Sequence, residues 1–448
     1  MKQYESYRHT IVPWLDNIPY HWNECRAKYL YKKENRPALE SDEVVTCFRD
    51  GQVTLRKNRR ISGFTESIKE FGYQHIQQGD LVIHVMDAFA GAVGVSDSDG
   101  KGTPVYSVCT AIQDTNNYYF AYAIREMAKK GFIQSLYRGI RERSSDFRFD
   151  VFAAQILPVP PREEQDQIVH YLDWQTSKIN QLITAKKQQI QVLKERQQKL
   201  ICEVITKGIH SDIDHKDSHI VWIGEIPRHW SAIRCKYLFR ERDERSKEGA
   251  ETHLSMSQKY GLVPDSQLEE HRMLSESYAG GKLCYQDDLV LNRLKAHLGV
   301  FALAPQFGVI SPDYTVLIPN TERIIPSFGE MVLKSALCRR ELRVRVRGII
   351  EGFWRLYTDD FYTIYLPVPP IEEQKEIMQY IDAQSKKTAA LENALNKEIE
   401  LLHELRTRLI SDVVTGQIDI RNVEVPDFEL VEEAADEAEE AEDEMEVE

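Results

Sequence analysis

From Ile179 onward the apolar residues of this chain fall alternately four and three positions apart. Ile179, Ile183, Lys186, Ile190, Leu193, Gln197, Leu200 and Val204 keep that alternation, and six of these eight are apolar. Such spacing is the heptad seam of a helix that packs on another helix. The stripe returns 209 positions later at Thr388, Glu392, Leu395, Ile399, Leu402, Arg406, Leu409 and Val413, with a polar lapse near its end in both copies, at Gln197 and Arg406. Two matched seams in one chain predict two long helices packed antiparallel on each other, with Ile183, Ile190, Leu193 and Leu200 facing Leu395, Ile399, Leu402 and Leu409. An intermolecular coiled coil would show the same stripe. The polar stretch 211–218, which lets the chain turn after the first copy, favours the intramolecular pairing.

The ends of both helices are marked. Pro161 and Pro370 suit a first helical turn, and Glu163-Glu164 and Glu372-Glu373 complement the helix dipole there. Gly208 and Gly416 suit the C-terminal stops. At about 1.5 Å per residue, some 40 residues would make a rod of roughly 60 Å. If modules sit at its two ends, the rod sets their separation, and four residues inserted into both helices would lengthen it by about 6 Å.

Ahead of each helix the periodicity changes to that of strands. Gln78-Gly79-Asp80-Leu81-Val82-Ile83 and Gln286-Asp287-Asp288-Leu289-Val290-Leu291 read as a turn entering a buried strand. Thr103-Pro104-Val105-Tyr106-Ser107-Val108 and Ser311-Pro312-Asp313-Tyr314-Thr315-Val316 follow with β-branched and aromatic residues that suit another. The first strand is followed in each copy by a loop, 86–95 and 292–300. The repeat extends upstream. Trp14-Leu15-Asp16-Asn17-Ile18-Pro19-Tyr20-His21-Trp22 returns as Trp222-Ile223-Gly224-Glu225-Ile226-Pro227-Arg228-His229-Trp230, and Leu157-Pro158-Val159-Pro160-Pro161-Arg162-Glu163-Glu164-Gln165 returns as Leu366-Pro367-Val368-Pro369-Pro370-Ile371-Glu372-Glu373-Gln374. A unit of about 208 residues excludes solenoids and propellers, whose periods run about 20 to 50. The fold class predicted is α+β: two tandem strand-rich modules, each closed by a long helix, related by an approximate two-fold axis. The expected division is 1–161, helix 162–208, 209–370, helix 371–418, and an acidic tail 419–448 without fixed structure.

Charge becomes informative once it is located. The net charge is −14, yet 14 Asp and Glu and no Lys or Arg stand between Asn422 and Glu448, so the body balances 57 acids against 57 bases. The tail reads as a solubilising polyanion, or as one that competes with DNA for basic patches. Against the neutral body, basic residues cluster at Arg56, Lys57, Arg59 and Arg60, and at Arg339, Arg340, Arg343, Arg345 and Arg347. Arg138, Arg141 and Arg143, with Arg293, Lys295 and His297, lie in or beside the loops near the matched strands. Gln258-Lys259-Tyr260 stands where the first copy has Phe48-Arg49-Asp50, a divergence expected of two modules reading different sequences. Affinity for DNA comes from phosphate contacts and specificity from Arg, Lys, Asn or Gln on base edges. A solvated surface is the other reading of any one of these residues.

Taken together, the duplicated Trp-x-Gly-Glu-Ile-Pro-x-His-Trp opening, the Asp-Leu-Val strand, the Ser-Pro-x-Tyr-Thr-Val strand and the Pro-x-Pro-Pro-x-x-Glu-Gln helix entry resemble the specificity subunits of type I restriction-modification enzymes. The first copy departs from the pattern at Asp16-Asn17 and at Thr103-Pro104-Val105. The resemblance spans Trp14 to about Arg421. It implies two target recognition domains that read the halves of a split, asymmetric DNA site, and a helical spacer that docks two methyltransferase subunits. It further implies restriction/translocase subunits in the complex. S-adenosylmethionine, ATP and Mg2+ would then act on other subunits, with no cofactor or metal in this chain and no catalytic residue of its own.

Enzyme motifs do not appear in the residues. Lys101 is not reached by a Gly-x-x-x-x-Gly-Lys-Ser/Thr spacing, and Asp97-Ser98-Asp99-Gly100 has Val95 and Tyr106 where a calcium loop needs ligands. No Asn-Pro-Pro-Tyr or Asp-Pro-Pro-Tyr signature is present. Seven scattered cysteines without a Cys-x-x-Cys pair, no signal-like N-terminus and no apolar run of membrane length lead to the expectation of a reducing, cytoplasmic setting. The alternative function is a coiled-coil adaptor that binds protein alone.

Overall fold

The computed structural model describes residues 2–59, 72–136, 146–210, 212–257, 260–267, 278–348 and 354–432. The chain divides into two compact units, Met1–Lys187 with Asn396–Glu448, and Gln188–Leu395. The division falls inside two long helices, α1 (Arg162–Lys207) and α2 (Ile371–Val414). Each unit therefore holds one strand-rich domain, the start of one long helix and the end of the other.

In the first unit an antiparallel sheet of four strands runs in the order Tyr31–Lys33, Tyr106–Ala111, Leu81–His84, Val93–Val95. Leu81, Val82 and Ile83 are all fully buried, which is why an apolar run rather than an alternating one marks this strand. The adjacent strand begins at Tyr106 rather than at Thr103, because Thr103-Pro104 forms a turn closed by Tyr106 N–H donating to the Thr103 carbonyl, 3.1 Å. Proline has no N–H to give a ladder. Helix Asn117–Lys129 covers the sheet with Tyr119, Phe120, Ala123, Ile124 and Met127. Its N-terminus is capped by the Asn116 side chain, which accepts from the Tyr118 and Tyr119 amides.

The second unit repeats this plan. Its sheet runs Phe239–Arg242, Tyr314–Pro319, Leu289–Asn292, Phe301–Leu303. Ser311-Pro312 makes the same turn, with Tyr314 N–H donating to Ser311 O at 3.1 Å. Helices Pro326–Lys334 and Ala336–Arg345 follow the sheet. The two chains of strand ahead of the long helices are also equivalent: Ile156–Val159 pairs with Asn23–Arg26, and Tyr365–Val368 with Ser231–Arg234. The architecture is thus two strand-rich α+β domains with two long helices.

Within each unit the helices run antiparallel. In the first, Arg406 Nη1 donates to Asn180 Oδ1 at 2.9 Å and Lys186 pairs with Glu398, so residue numbers rise on one helix as they fall on the other. Ile179, Ile183, Ile399, Leu409 and Val413 are buried there, and Leu402 is half-buried. In the second unit Lys194 pairs with Glu392 at 2.9 Å and Gln197 Nε2 donates to Ser385 Oγ at 2.9 Å. Val204 is buried, while Ile190, Leu193, Leu200 and Leu395 are half-buried. The polar residues near the end of each stripe, Gln197 and Arg406, make cross-helix hydrogen bonds, a device that fixes register at some cost in stability.

Gly416 ends α2 at φ 74°, and a Cβ there would fall 2.5 Å from Pro19 Cδ. Only glycine permits both the left-handed turn and that approach. Beyond it, Asp419 N–H donates to the Lys2 carbonyl at 2.9 Å. A hydrogen bond thereby joins helix end to domain start in the first unit, where the second unit has continuous chain from Gly208 to His215.

The expectation of a tail without structure from 419 is corrected for residues 419–432, which lie along α1. Gln167 Nε2 donates to Val423 O at 2.7 Å, Phe428 meets the His170 ring at 5.4 Å, and Val431 N–H donates to Ser177 Oγ at 3.1 Å. Ile420 is buried, and Val423, Phe428 and Val431 are half-buried. Acidic composition concealed these spaced apolar anchors. Residues 433–448 lie outside the described residues.

Candidate nucleic-acid interface

The repeated motifs first of all build a latch. In the first unit Glu164, near the start of α1, accepts from Tyr4 OH at 2.6 Å and Trp22 Nε1 at 3.1 Å, and meets His21 Nε2 at 2.8 Å. In the second, Glu373 takes Trp230 Nε1 at 3.0 Å and His229 Nε2 at 2.7 Å, while its other oxygen is buried without a partner. Burial, then the Glu164 hydrogen bond, pushes the Tyr4 hydroxyl well above its ordinary pKa, so it remains a donor. The neighbouring glutamines repeat as well. Gln165 Nε2 donates to Pro160 O and Gln374 Nε2 to Pro369 O, both at 2.9 Å. Gln165 and Gln374 also accept from the Asn116 and Ile325 amides at 2.9 and 2.8 Å. His-Trp and Glu-Gln are therefore structural: they seat each domain on its helix, and Trp22 and Trp230 are core residues.

On this frame each unit carries a hairpin and a one-turn loop. The first hairpin pairs Val45–Cys47 with Val53–Leu55, and the second pairs Leu254–Ser257 with Gly261–Pro264. The loop after the central strand makes a short 3-10 turn at Ala88–Ala90 and at Ala296–Leu298, ended by Gly91 (φ 96°) and Gly299 (φ 79°).

The two units place their basic side chains differently. In the first they follow the hairpin, on the turn Arg56–Asn58. Arg56 Nε donates to Thr46 Oγ1 at 3.2 Å, Lys57 pairs with Glu43, and Arg59 pairs with Asp50 at 2.6 Å while its guanidinium covers the Phe48 ring at 4.3 Å. Arg49 reaches Asp87 at 3.3 Å. At the matching turn of the second unit, Asp265–Gln267, an acid replaces Arg56, and Asp265 holds His253. Here the basic residues lie on helix Ala336–Arg345, which packs on the Ala296–Leu298 turn through Arg339, whose Cδ lies against Gly299. Lys295, Arg340 and Arg343 are exposed on this side.

Other candidates are engaged with groups of their own unit. Arg293 Nε donates to Asp313 O at 2.7 Å and Nη2 to Pro312 O at 3.2 Å. Arg345 pairs with Glu341 at 2.7 Å, and Arg347 with Asp360. Arg60, Arg138, Arg141, Arg143, Gln258 and Lys259 lie outside the described residues, as does the side chain of His297. Tyr260, beside the second hairpin tip, is exposed.

One residue gave no signal in the sequence. Arg125, on helix Asn117–Lys129, lays its guanidinium against Gly51 of the first hairpin tip, where a Cβ would fall 2.4 Å from its Nη1. Burial lowers its pKa from the ordinary arginine value. A single arginine in an amphipathic helix resembles any other solvent-facing position; only the fold brings it to the glycine.

Among the described residues no three metal-ligating side chains come together, and no helix is long and apolar enough to cross a membrane.

Residues 276–401 match the type I restriction modification DNA specificity domain. The chain is 22% identical over 326 residues to the type I restriction enzyme MjaVIII specificity subunit of Methanocaldococcus jannaschii, covering 69% of this chain and 72% of that one. Its fold matches a chain solved for the complex assembly and conformational transition of the type I R-M system, with TM-score 0.63 and 16% identity over 90% of this chain and 99% of that one. The HsdS subunit from Thermoanaerobacter tengcongensis matches with TM-score 0.50 and 14% identity, over 90% and 98%. The resemblance read from the duplicated motifs stands.

Proposed function

Starting from a chain that resembles type I restriction-modification specificity subunits and shares their fold, we propose that it is the non-catalytic, DNA-reading subunit of such a complex. The two domains select the two halves of a bipartite, asymmetric site, and the paired helices scaffold two methyltransferase subunits and the restriction/translocase subunits. The observation that carries this reading is the conjunction of a latch and frame duplicated in the two units with basic surfaces that differ between them. Scaffold and reading surface are separable: the His-Trp to Glu and the Gln contacts recur in both latches, while the basic residues move from a turn to a helix.

The helices also support a scaffolding role. Leu182, Val192, Leu391, Leu401 and Leu405 are each more than half exposed on them. In this reading they are contact points for the partner subunits. S-adenosylmethionine, ATP and Mg2+ belong, in this reading, to the partners. The chain works in the cytoplasm, where its cysteines remain thiols.

The test is genome-wide mapping of N6-methyladenine after co-expression with the neighbouring methyltransferase. A motif of two fixed halves with a fixed gap, lost when this chain is omitted, is the expected result. Absence of any motif from an assembled, active methyltransferase would transfer the reading to a coiled-coil adaptor.

A further inference from the structure

We propose that Arg125 is the positioning residue of the first unit's hairpin: its guanidinium seats the hairpin tip on the domain and so sets which bases that half-site admits, without contacting DNA itself. The inference rests on the DNA-reading role given above and names a residue that determines its specificity.

The seat is built from three glycines and one arginine. The first hairpin turns between Cys47 and Val53, with Gly51 at φ 91°. A Cβ on Gly51 would fall 2.5 Å from Arg125 Cζ and 2.7 Å from its Nε, so the guanidinium lies broadside against the backbone there. From the sheet, Gly94 meets the Gly51 carbonyl, and a Cβ on Gly91 would fall 2.7 Å from the Arg49 carbonyl oxygen. A side chain at Gly94 would displace the tip, because what stands in its way is backbone.

The arginine is itself held by the frame. Its helix, Asn117–Lys129, is hydrogen-bonded to both long helices. Toward α1, Asn116 Nδ2 donates to Asp166 Oδ1 at 2.7 Å and Tyr122 OH to Asp173 Oδ1 at 3.4 Å. Toward α2, Glu126 Oε1 accepts from Ser411 Oγ at 2.6 Å, and Tyr119 OH donates to Val414 O at 3.3 Å. Arg125 therefore carries the position of the helices to the tip. Asp50, next to Gly51, pairs with Arg59 at 2.6 Å, and Arg59 covers the Phe48 ring at 4.3 Å. A shift of the tip moves these side chains together. Hydrogen bonds to base edges weaken steeply with distance and angle, so a small shift relaxes selectivity.

The second unit shows that this seat is particular to the first. Ala302 stands 208 positions after Gly94, and a Cβ on Gly261 of the second hairpin would meet the Ala302 methyl at 3.4 Å, an ordinary contact. Gly299, which matches Gly91, receives Arg339 Cδ in place of a hairpin carbonyl. At the positions matching Arg125 stand Leu333, fully buried, and Lys334, which pairs with Glu330 at 2.6 Å. A buried leucine and a paired lysine thus replace the arginine, so its loss bears on one half-site alone.

The test uses Arg125→Ala, Arg125→Met and Gly94→Ala, each assembled with the methyltransferase. Gly94→Ala disturbs the same tip from the sheet side, with the residue the second unit already carries. N6-methyladenine mapping is expected to show one half of the motif relaxed, the same half in all three, with the other half and the gap unchanged. Methylation of sites mismatched in that half should rise roughly tenfold, within what one mismatched base pair normally costs. Fluorescence anisotropy on the wild-type target duplex should give an unchanged slope of log affinity against log salt, since no phosphate contact is lost. A slope lowered by about 1 in the Arg125 variants would make Arg125 a direct phosphate contact and overturn the positioning role. An unchanged motif in the folded, assembled variants, or relaxation of both halves, would overturn it as well. If neither Arg125 variant assembles, Gly94→Ala decides by the same outcomes. Absence of any motif from the wild-type complex would instead overturn the DNA-reading role.

Discussion

The two units have the same frame and opposite placements of charge. Arg56, Lys57 and Arg59 occupy the turn after the first hairpin, while the second unit has Asp265 at that turn and carries Arg339, Arg340 and Arg343 on the helix behind its loop. The frame is constrained by buried hydrogen bonds, each of which costs about 1–3 kcal/mol when one partner is lost. The surface has no such penalty, so it can change while the fold persists. That is the physical condition for a protein whose halves read different sequences on one scaffold.

The largest effects should come from the shared frame. Trp22→Ala and Trp230→Ala should each cost about 3–5 kcal/mol, through cavity formation in a fully buried site. Hydrogen exchange followed separately on peptides of each unit should show the loss confined to the mutated unit. Spread of the loss into both would show that the units are not independent.

Next come the latch carboxylates. Glu164 serves three partners and Glu373 two, so Glu164→Ala should cost about 3 kcal/mol and Glu373→Ala about 2. Equal losses would mean that Tyr4 contributes nothing beyond packing. The comparison of surfaces is sharpened by Arg343→Ala and Arg59→Ala. Each should weaken duplex binding at low salt and lower the slope of log affinity against log salt by about 1. An unchanged slope for Arg343→Ala would remove the second unit's helix from the phosphate-contacting surface.

The smallest effect concerns the closure that only the first unit needs. Asp419 accepts from Arg421 Nε at 2.9 Å and Nη2 at 2.8 Å, and chiefly for that reason its carboxyl titrates below the usual aspartate range. A depressed folded pKa stabilises the ionised form, so the contribution is fully present above the unfolded value of about 3.9 and is lost as pH falls through the folded one. Protection of the Asp419 amide, corrected for intrinsic exchange, should fall below about pH 4. Persistence of that protection to pH 2.5 would show that the closure does not depend on this ion pair.

Much of the frame was legible because it is periodic. The heptad stripe located both long helices, and the buried Leu81-Val82-Ile83 and Leu289-Val290-Leu291 runs located the central strands. The His-Trp and Glu-Gln repeats were visible as motifs, but their joining into one latch was not, since 143 positions separate Glu373 from Trp230. The surface was least legible. Arg293, Arg345 and Arg347 read as free basic residues until their carbonyl and carboxylate partners were seen, and Arg125 was indistinguishable from any helical arginine. Residues 419–432 misled through average composition: four apolar anchors among acids suffice to lay a segment on a helix.

The central claim, that two surfaces on one frame read two half-sites, is tested most directly by a local exchange. Replacing Gln258-Lys259-Tyr260 with Phe-Arg-Asp, as found at 48–50, and mapping N6-methyladenine in the assembled complex should alter or relax one half of the split motif, with the other half and the gap unchanged. A change in both halves, or in the gap, would contradict it.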